Sequence, residues 1–195
     1  MKRIFDILFA GILLVLTMPL NLIVAAAIKL SSPGPVFFKQ ERIGRFGVPF
    51  KIVKFRTMRV AKSGPGITVS GDRRVTPLGR FLRKWKIDEI PQLWNILKGD
   101  MSFVGPRPEI PEYVARYQPE DMVVFRVRPG LTDPATLKYR NEEQLLAKHA
   151  DPLNFYLEEI LPDKLRLARQ YVQRRSLFTD LRIMVSTLTH IVRYS

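Results

Sequence analysis

Between Ile7 and Ile28 the chain runs for 22 residues without a charge, flanked by Lys2 and Arg3 before and Lys29 after. No other stretch restricts the fold as much. About 20 apolar residues suffice to cross the ~30 Å hydrocarbon core of a bilayer, so this run is long enough to do so. Three arrangements fit it. A cleaved signal peptide would account for Met1-Lys2-Arg3 and Ala25-Ala26-Ala27, but Asp6 intrudes early and the apolar region is long for one. A straight transmembrane helix is the simplest alternative. The third is a helix that enters, bends and leaves on the same side. Pro19 lies in the middle of the run, after Thr17-Met18 and before Asn21. Its ring removes a backbone donor and clashes with the preceding turn, so a kink is expected there. Basic residues favour the cytoplasmic side, and both flanks are basic; a re-entrant segment satisfies both and a straight span only one. From the residues alone, re-entrant and spanning forms stay open.

The chain has 195 residues, enough for an anchor over residues 1–30 and one compact domain over 31–195 with a real core. There are no cysteines and two histidines, which excludes disulfides, thiolate catalysis and zinc–thiolate sites and argues against a histidine metal centre. Chemistry must run on carboxylates, arginines and lysines. With 32 Lys and Arg against 18 Asp and Glu, the formal charge is +14, which calls for an anionic partner: phosphorylated substrate, anionic lipid or nucleic acid. No repeat or low-complexity tract is present.

The fold class expected is α/β, mostly helical with a small β-hairpin. Ser31-Ser32-Pro33-Gly34-Pro35 ends the apolar segment. Strands are expected at Val36–Gln40 and Pro49–Arg56, joined through the Gly44 and Gly47 region. The two-residue strand period puts Lys54 and Arg56 on one face, where they could converge on a phosphate. Residues 61–72, with three glycines and Pro65, read as a mobile loop. Thr76-Pro77 opens a helix whose Leu78, Phe81, Leu82 and Trp85 form one apolar face, for the core or the membrane interface. In the last helix Leu177, Leu181, Met184, Leu188, Ile191 and Val192 form another, with Arg174, Arg175, Arg182 and Arg193 near it. That helix is either a core element or a basic amphipathic helix lying on the membrane.

The chemistry concentrates at Asp88-Glu89. Six cations (Arg73, Arg74, Arg80, Arg83, Lys84, Lys86) precede the pair against one nearby acid, Asp72. Asp88 reads as the N-cap of a helix that stops at Gly99, with the helix start holding its carboxylate ionised. The same position favours a phosphate, and an ionised acid beside a phosphate suits phosphoryl transfer and metal binding. Capping alone is the plain alternative. Further on, Gly105-Pro106-Arg107-Pro108 presents one guanidinium from a stiff turn, suited to bidentate phosphate binding. Arg126, Arg128, Pro129 and Gly130 make a second cationic element, and 138–143 a third polar cluster.

Taken together, these pieces resemble the bacterial sugar transferases, the small monotopic phosphoglycosyl transferases. The resemblance is carried by Lys2-Arg3-Ile4-Phe5-Asp6, the Pro19 segment, Ser32-Pro33-Gly34-Pro35, Lys54-Phe55-Arg56-Thr57-Met58 and Thr76-Pro77-Leu78-Gly79-Arg80. It continues through Asp88–Asn95, Lys98–Pro108 and Arg128-Pro129-Gly130-Leu131-Thr132, in order over nearly the whole chain. It implies an Mg²⁺-dependent enzyme on the cytoplasmic face of the bacterial inner membrane. Such an enzyme transfers a sugar 1-phosphate from a UDP-sugar to undecaprenyl phosphate, releasing UMP, as the first membrane step of surface-glycan assembly. Asp88 and Glu89 match the catalytic dyad, with Asp88 as nucleophile and metal contact. Lys54, Arg56, Arg80, Arg107 and Arg128 are the candidates for the phosphates. The resemblance favours the re-entrant form, implies no nucleic acid and leaves a homodimer open. Two places depart from the family. Met18 precedes the kink proline where Ser is frequent, and 133–143 lacks the Gly-Trp and Asn-Gly-Arg elements of many members. A basic binding module would explain the charge but not the acid pair and the Gly-Pro-Arg-Pro turn. A structural membrane scaffold would leave Asp88 as a cap only.

Overall fold

The apolar run is not one helix. The computed structural model describes residues 1–59 and 67–194, with the side chains of Val192 and Tyr194 outside that description. Helix α1 (Lys2–Leu16) and helix α2 (Met18–Ser31) meet at Thr17 with a bend of 60°. Pro19 has no N–H to give to the preceding turn, so the ladder breaks there. Met18 cannot bond back, but its neighbour does: the Thr17 hydroxyl donates to Leu13 O at 2.7 Å, and Asn21 Nδ2 donates to Thr17 Oγ1 at 3.3 Å. No single helix among the described residues is long and apolar enough to cross a membrane; this bent pair meets the length and composition together.

Helix α1 has two faces. Asp6 and Ala10 are buried, with Phe9 and Leu13 beside them, while Ile4, Leu8, Ile12 and Val15 on the other side are exposed. The buried face lies along helix α4 (Gln92–Lys98) and strand β3 (Ser102–Val104), where the Phe9 ring meets Phe103 at 5.2 Å. Polar ties fix the contact. Ser102 Oγ donates to Asp6 at 2.8 Å, and Arg3 donates to Ile96 O at 2.6 Å and Leu97 O at 3.0 Å. Those two carbonyls belong to the last turn of α4, where Ile96 O also accepts from Gly99 N at 3.1 Å, so Arg3 caps a helix it is not part of. Gly99, at φ +97°, ends α4 as expected.

Strands β1 (Phe37–Ile43) and β2 (Pro49–Phe55) form the antiparallel hairpin, in register from Phe37 opposite Phe55 to Ile43 opposite Pro49. Helix α3 (Pro77–Lys84) starts at Thr76, whose hydroxyl accepts from Gly79 N at 2.9 Å. Its expected apolar face divides: Leu82 is buried with Phe55, Val24 and Ile28, whereas Phe81 and Trp85 are exposed. Of the predicted loop, 61–66 lie outside the described residues and 67–72 contain a bend and one turn, without helix or strand.

After β3 the chain passes helix α5 (Pro111–Val114) and a 3₁₀ stretch (Pro119–Arg126) to strand β4 (Gly130–Thr132), which pairs in parallel with β3. The pairing is close enough that a Cβ on Gly105 would lie 2.3 Å from Arg128 O. Only glycine fits there. Helices α6 (Pro134–Lys138), α7 (Glu142–Leu146), α8 (Pro152–Phe155), α9 (Leu161–Arg174) and α10 (Leu177–Tyr194) complete the chain. On α10, Ile183 is buried and Thr187 bonds Thr132 at 2.7 Å. The expected apolar residues Leu177, Leu181 and Leu188 are exposed, with Phe178 and Val185 on the same side. The expected Val192 lies outside the described side chains. So α10 touches the core along one side and presents an open apolar face along the other. The α/β reading, mostly helical with small sheets, agrees with this architecture.

Candidate active site

The acid pair is placed by a backbone reversal, not by a helix cap. Lys86 adopts the left-handed conformation at φ +56°, which for a lysine costs roughly 1 kcal/mol and marks a position the surroundings enforce. The chain turns there from α3 into a short 3₁₀ turn, Ile87–Glu89, and both carboxylates end up buried. Helix α4 then begins after Pro91 with no side-chain cap. The expectation that Asp88 caps this helix is therefore corrected: Asp88 lies a turn too early, and its Oδ1 is buried without a hydrogen-bond partner.

Glu89 is the opposite case. Its Oε1 accepts from Lys54 Nζ at 2.8 Å and from Arg107 Nη2 at 2.6 Å. Lys54 arrives from β2 and Arg107 from the stiff turn after β3. Arg107 is itself backed by Asp133, whose Oδ2 accepts from the Arg107 backbone N–H at 3.2 Å. The electrostatics follow the geometry. Burial pushes the Asp88 carboxyl above its usual value, and the Glu89 charge beside it pushes further, against Lys54, Lys86 and Arg83. Burial would raise Glu89 too, but Arg107 and Lys54 override it and hold Glu89 well below the ordinary range. Lys54 is lowered by its own burial, with Glu89 opposing, while the Glu89 charge raises Arg107 despite burial. The expected cause is thus corrected: Asp88 is not at a helix start, and its burial works against the charged form that Lys54, Lys86 and Arg83 favour.

Both acids open onto a cleft of about 1060 Å³ between the hairpin, α3, the Arg107 turn, the 133–143 segment and α9. Arg80 lines this cleft from an exposed position on α3. Arg83, which the sequence reading did not single out for the site, donates to Thr57 Oγ1 at 2.9 Å and pairs with Glu143 at 2.7 Å. Deeper in, Arg42 donates to Glu109 at 3.3 Å and to Gln40 at 2.7 Å, and the Tyr156 hydroxyl donates to Glu109 at 2.8 Å. Tyr139, Arg140, Asn141, Glu142 and Glu143 form one wall, which gives the departing 133–143 segment a place at the site.

Two of the predicted phosphate ligands are positioned otherwise. Arg56 follows Lys54 by two residues but is past the end of β2, so the expected shared strand face does not form. Its guanidinium donates to Pro33 O at 2.5 Å and to Ser32 O at 2.8 Å, closing the end of α2. Arg56 still borders the cleft, with both Nη groups turned to the end of α2. Arg128 donates through Nε to Gly99 O at 2.8 Å and lines a separate cavity with Lys2 and Arg3. The structure therefore gathers Asp88, Glu89, Lys54, Arg80 and Arg107 on one cleft, leaves Arg56 at its border with its Nη groups tied to the end of α2, and places Arg128 on a separate cavity. Among the described residues no three or more His, Cys, Asp or Glu side chains cluster to hold a metal ion.

A family profile described as bacterial sugar transferase matches residues 1–194. The chain belongs to the bacterial sugar transferase family. It is 41% identical over 201 residues to a protein of Caulobacter vibrioides named UDP-glucose:undecaprenyl-phosphate glucose-1-phosphate transferase, covering 96% of this chain and 68% of that one. An Escherichia coli protein of the same name is 37% identical over 194 residues, covering 96% of this chain and 39% of its own length. The UDP-N-acetylgalactosamine-undecaprenyl-phosphate N-acetylgalactosaminephosphotransferase of Aeromonas hydrophila is 38% identical over 196 residues, covering 98% and 43%. This family member thus spans well under half the length of two of these three relatives. The family match over residues 1–194 includes every residue lining the cleft.

Proposed function

We propose that this chain transfers a sugar 1-phosphate from a UDP-sugar to undecaprenyl phosphate and releases UMP, through a covalent phosphosugar–Asp88 intermediate. The observation that carries the reading is the contrast within the dyad. Asp88 Oδ1 is a buried acceptor with no partner in a cleft lined by cations, whereas Glu89 is tied to Lys54 and Arg107. An unbonded carboxylate is free to attack; a doubly bonded one positions its partners.

In the first half-reaction an Asp88 oxygen forms a bond to the β-phosphorus of the UDP-sugar, and the bond from that phosphorus to the bridging oxygen breaks. UMP leaves with the electron pair. In the second, an oxygen of undecaprenyl phosphate attacks the same phosphorus and the Asp88–phosphorus bond breaks, regenerating the carboxylate. Arg107, Lys54 and Arg80 orient the phosphates and offset their charge, which is most of what phosphoryl transfer asks of a protein. Glu89 keeps Arg107 and Lys54 in place. Magnesium, when bound, would neutralise charge on the diphosphate. Asp88 fits as its protein contact, because this ion takes one or two carboxylates and fills the rest of its shell with phosphate and water.

The lipid acceptor is supported by the bent α1–α2 pair, whose exposed side is apolar. We place that pair as a re-entrant anchor at the cytoplasmic face of a bacterial inner membrane, and the reaction as the first membrane step of a surface glycan. The relatives' names carry both glucose and N-acetylgalactosamine, so the proposal is for UDP-sugars as a class. The test is UMP release by the full chain from a panel of UDP-sugars, with undecaprenyl phosphate and Mg²⁺. Release with at least one sugar, and a phosphosugar mass on Asp88 when the lipid is withheld, are expected; no release with any sugar overturns the reading.

A further inference from the structure

A second cavity, of about 450 Å³, lies at the start of α1 and is lined by Lys2, Arg3, Arg45, Arg126, Arg128 and Arg175. Only two acids line it, Asp6 and Asp180, and both are engaged. Asp6 accepts from Ser102, and Asp180 accepts from Lys2 at 2.5 Å and from the Tyr171 hydroxyl at 2.6 Å. Arg45 and Arg128 are half-buried, and each spends its Nε on a carbonyl: Arg45 on Arg126 O at 3.3 Å, Arg128 on Gly99 O at 2.8 Å. Their Nη groups remain for a ligand. Among the described residues none of Arg45, Arg126, Arg128 and Arg175 has a carboxylate partner, whereas in the catalytic cleft Arg107, Lys54, Arg42 and Arg83 each have one. Four guanidiniums lining one cavity, none of them paired with its two acids, suit a phosphate-sized anion.

The surroundings say which anion. Met1 and Leu177 line the cavity; Phe46, whose ring lies 4.3 Å from the Arg45 guanidinium, and Phe178, next in sequence to Leu177, are 71% and 78% exposed. One residue past Arg3 the exposed apolar side of α1 begins at Ile4 and Leu8. A soluble polyanion has no use for exposed phenylalanines around its site. A phospholipid does: its phosphate meets the arginines while its chains meet the apolar rim. We propose that this cavity binds the headgroup of an anionic phospholipid, separately from the undecaprenyl phosphate taken at the Asp88 cleft. The proposal rests on the membrane placement given above for α1 and α2. It gives the N-terminal Lys2-Arg3 end of the anchor, the hairpin tip and the start of α10 a common partner.

The experiment uses the detergent-solubilised full chain and follows its thermal unfolding. The titrants are dioctanoyl phosphatidylglycerol, dioctanoyl phosphatidylcholine and inorganic phosphate. Phosphatidylglycerol should raise the midpoint saturably, phosphatidylcholine should not, and inorganic phosphate should need at least tenfold higher concentration. In the double variant Arg126→Gln/Arg175→Gln the apparent affinity for phosphatidylglycerol should fall tenfold or more. Arg126→Lys/Arg175→Lys, which keeps the charge, should lose less. An equal response to phosphatidylcholine, an equal response to inorganic phosphate, or unchanged affinity in the glutamine variant overturns the proposal. UMP release is measured in parallel on wild type. Its absence would count against the transferase reading, while the lipid titration would still decide this one.

Discussion

The two sides of the cleft are built from adjacent residues and behave in opposite ways. On the side facing β2 and the Arg107 turn, Glu89 is locked into two ion pairs and held ionised. On the other, Asp88 is equally buried, has an oxygen with no partner, and has its charged form disfavoured. Sequence distance of one residue is enough for this because Lys86 reverses the chain just before them and sends the two side chains to different neighbours. The lesson is about division of labour. A carboxylate that is fully satisfied makes a good scaffold and a poor nucleophile; one left unsatisfied is the reverse, at a cost in stability.

The largest expected effect is on turnover. Asp88→Asn should lower UMP release on the order of 10⁴-fold and abolish the covalent adduct, because an amide cannot attack phosphorus and be regenerated. Glu89→Gln should lower release on the order of 10²-fold while leaving the adduct detectable, since what it loses is the placement of Arg107 and Lys54. Release and intact mass, measured on both variants, test the contrast. An adduct in the Asn variant, or none in the Gln variant, would break it.

Stability should respond with opposite signs. Glu89→Gln leaves the half-buried Lys54 and Arg107 without their counter-charge and should cost about 2–3 kcal/mol of unfolding free energy at neutral pH, below the ~3–5 kcal/mol of a fully buried pair because both cations keep some solvent. Asp88→Asn removes an unpartnered buried charge and should gain about 1 kcal/mol. Linkage fixes where each difference appears. Glu89 has a depressed folded value, so its contribution is present above the unfolded 4.5 and is lost as pH falls through the folded one. Asp88 has a raised folded value, so its penalty is absent below 3.8 and grows as pH rises through the folded one. Urea unfolding at pH 7 and near pH 4 separates the two: near pH 4 the Asp88 penalty is nearly gone, while the pH is still above the folded value of Glu89, which keeps most of its contribution. A loss of stability in Asp88→Asn at pH 7 would mean the aspartate is compensated by something other than the residues named.

Much of this was legible in the sequence, and what was not has a common physical cause. The bend at Pro19, the hairpin, the Thr76 start of α3 and the Gly99 stop follow from local chemistry: a missing donor, a strand period, a cap, a positive φ. The acid pair and Arg107 could be singled out because charge clusters and stiff turns show in one dimension. Asp88 as a cap was a local inference of the same kind, and it failed because a left-handed Lys86 cannot be read from neighbours that would equally suit a helix entry. Arg56 and Arg128 were named as phosphate candidates, and the carbonyls they bond were not legible for a different reason. An arginine's partner is decided by which backbone carbonyls are left over at the ends of distant helices, and those of α2 and α4 recruited them. Arg83 and the Arg42–Glu109–Tyr156 set sit among so many cations and aromatics that only the fold sorts them.

The smallest expected effect is the most direct probe of the boundary between the two sides. Lys54 touches Glu89, yet its charge also favours the ionised form of Asp88. As a nucleophile Asp88 works deprotonated, so the rate of UMP release should be full at higher pH and fall as pH drops through its raised value, giving an acid limb above 3.8. Lys54→Met removes one of the charges that oppose this rise, so the limb should move to higher pH. Glu89 stays ionised through the same range because Arg107 still holds it. The readout is the pH dependence of kcat/KM for both forms, which reports groups of the free enzyme. A limb that moves to lower pH would show that the titrating group is not Asp88. An unmoved limb would show that Lys54 belongs to Glu89 alone, and the two sides of the cleft would then be electrostatically separate.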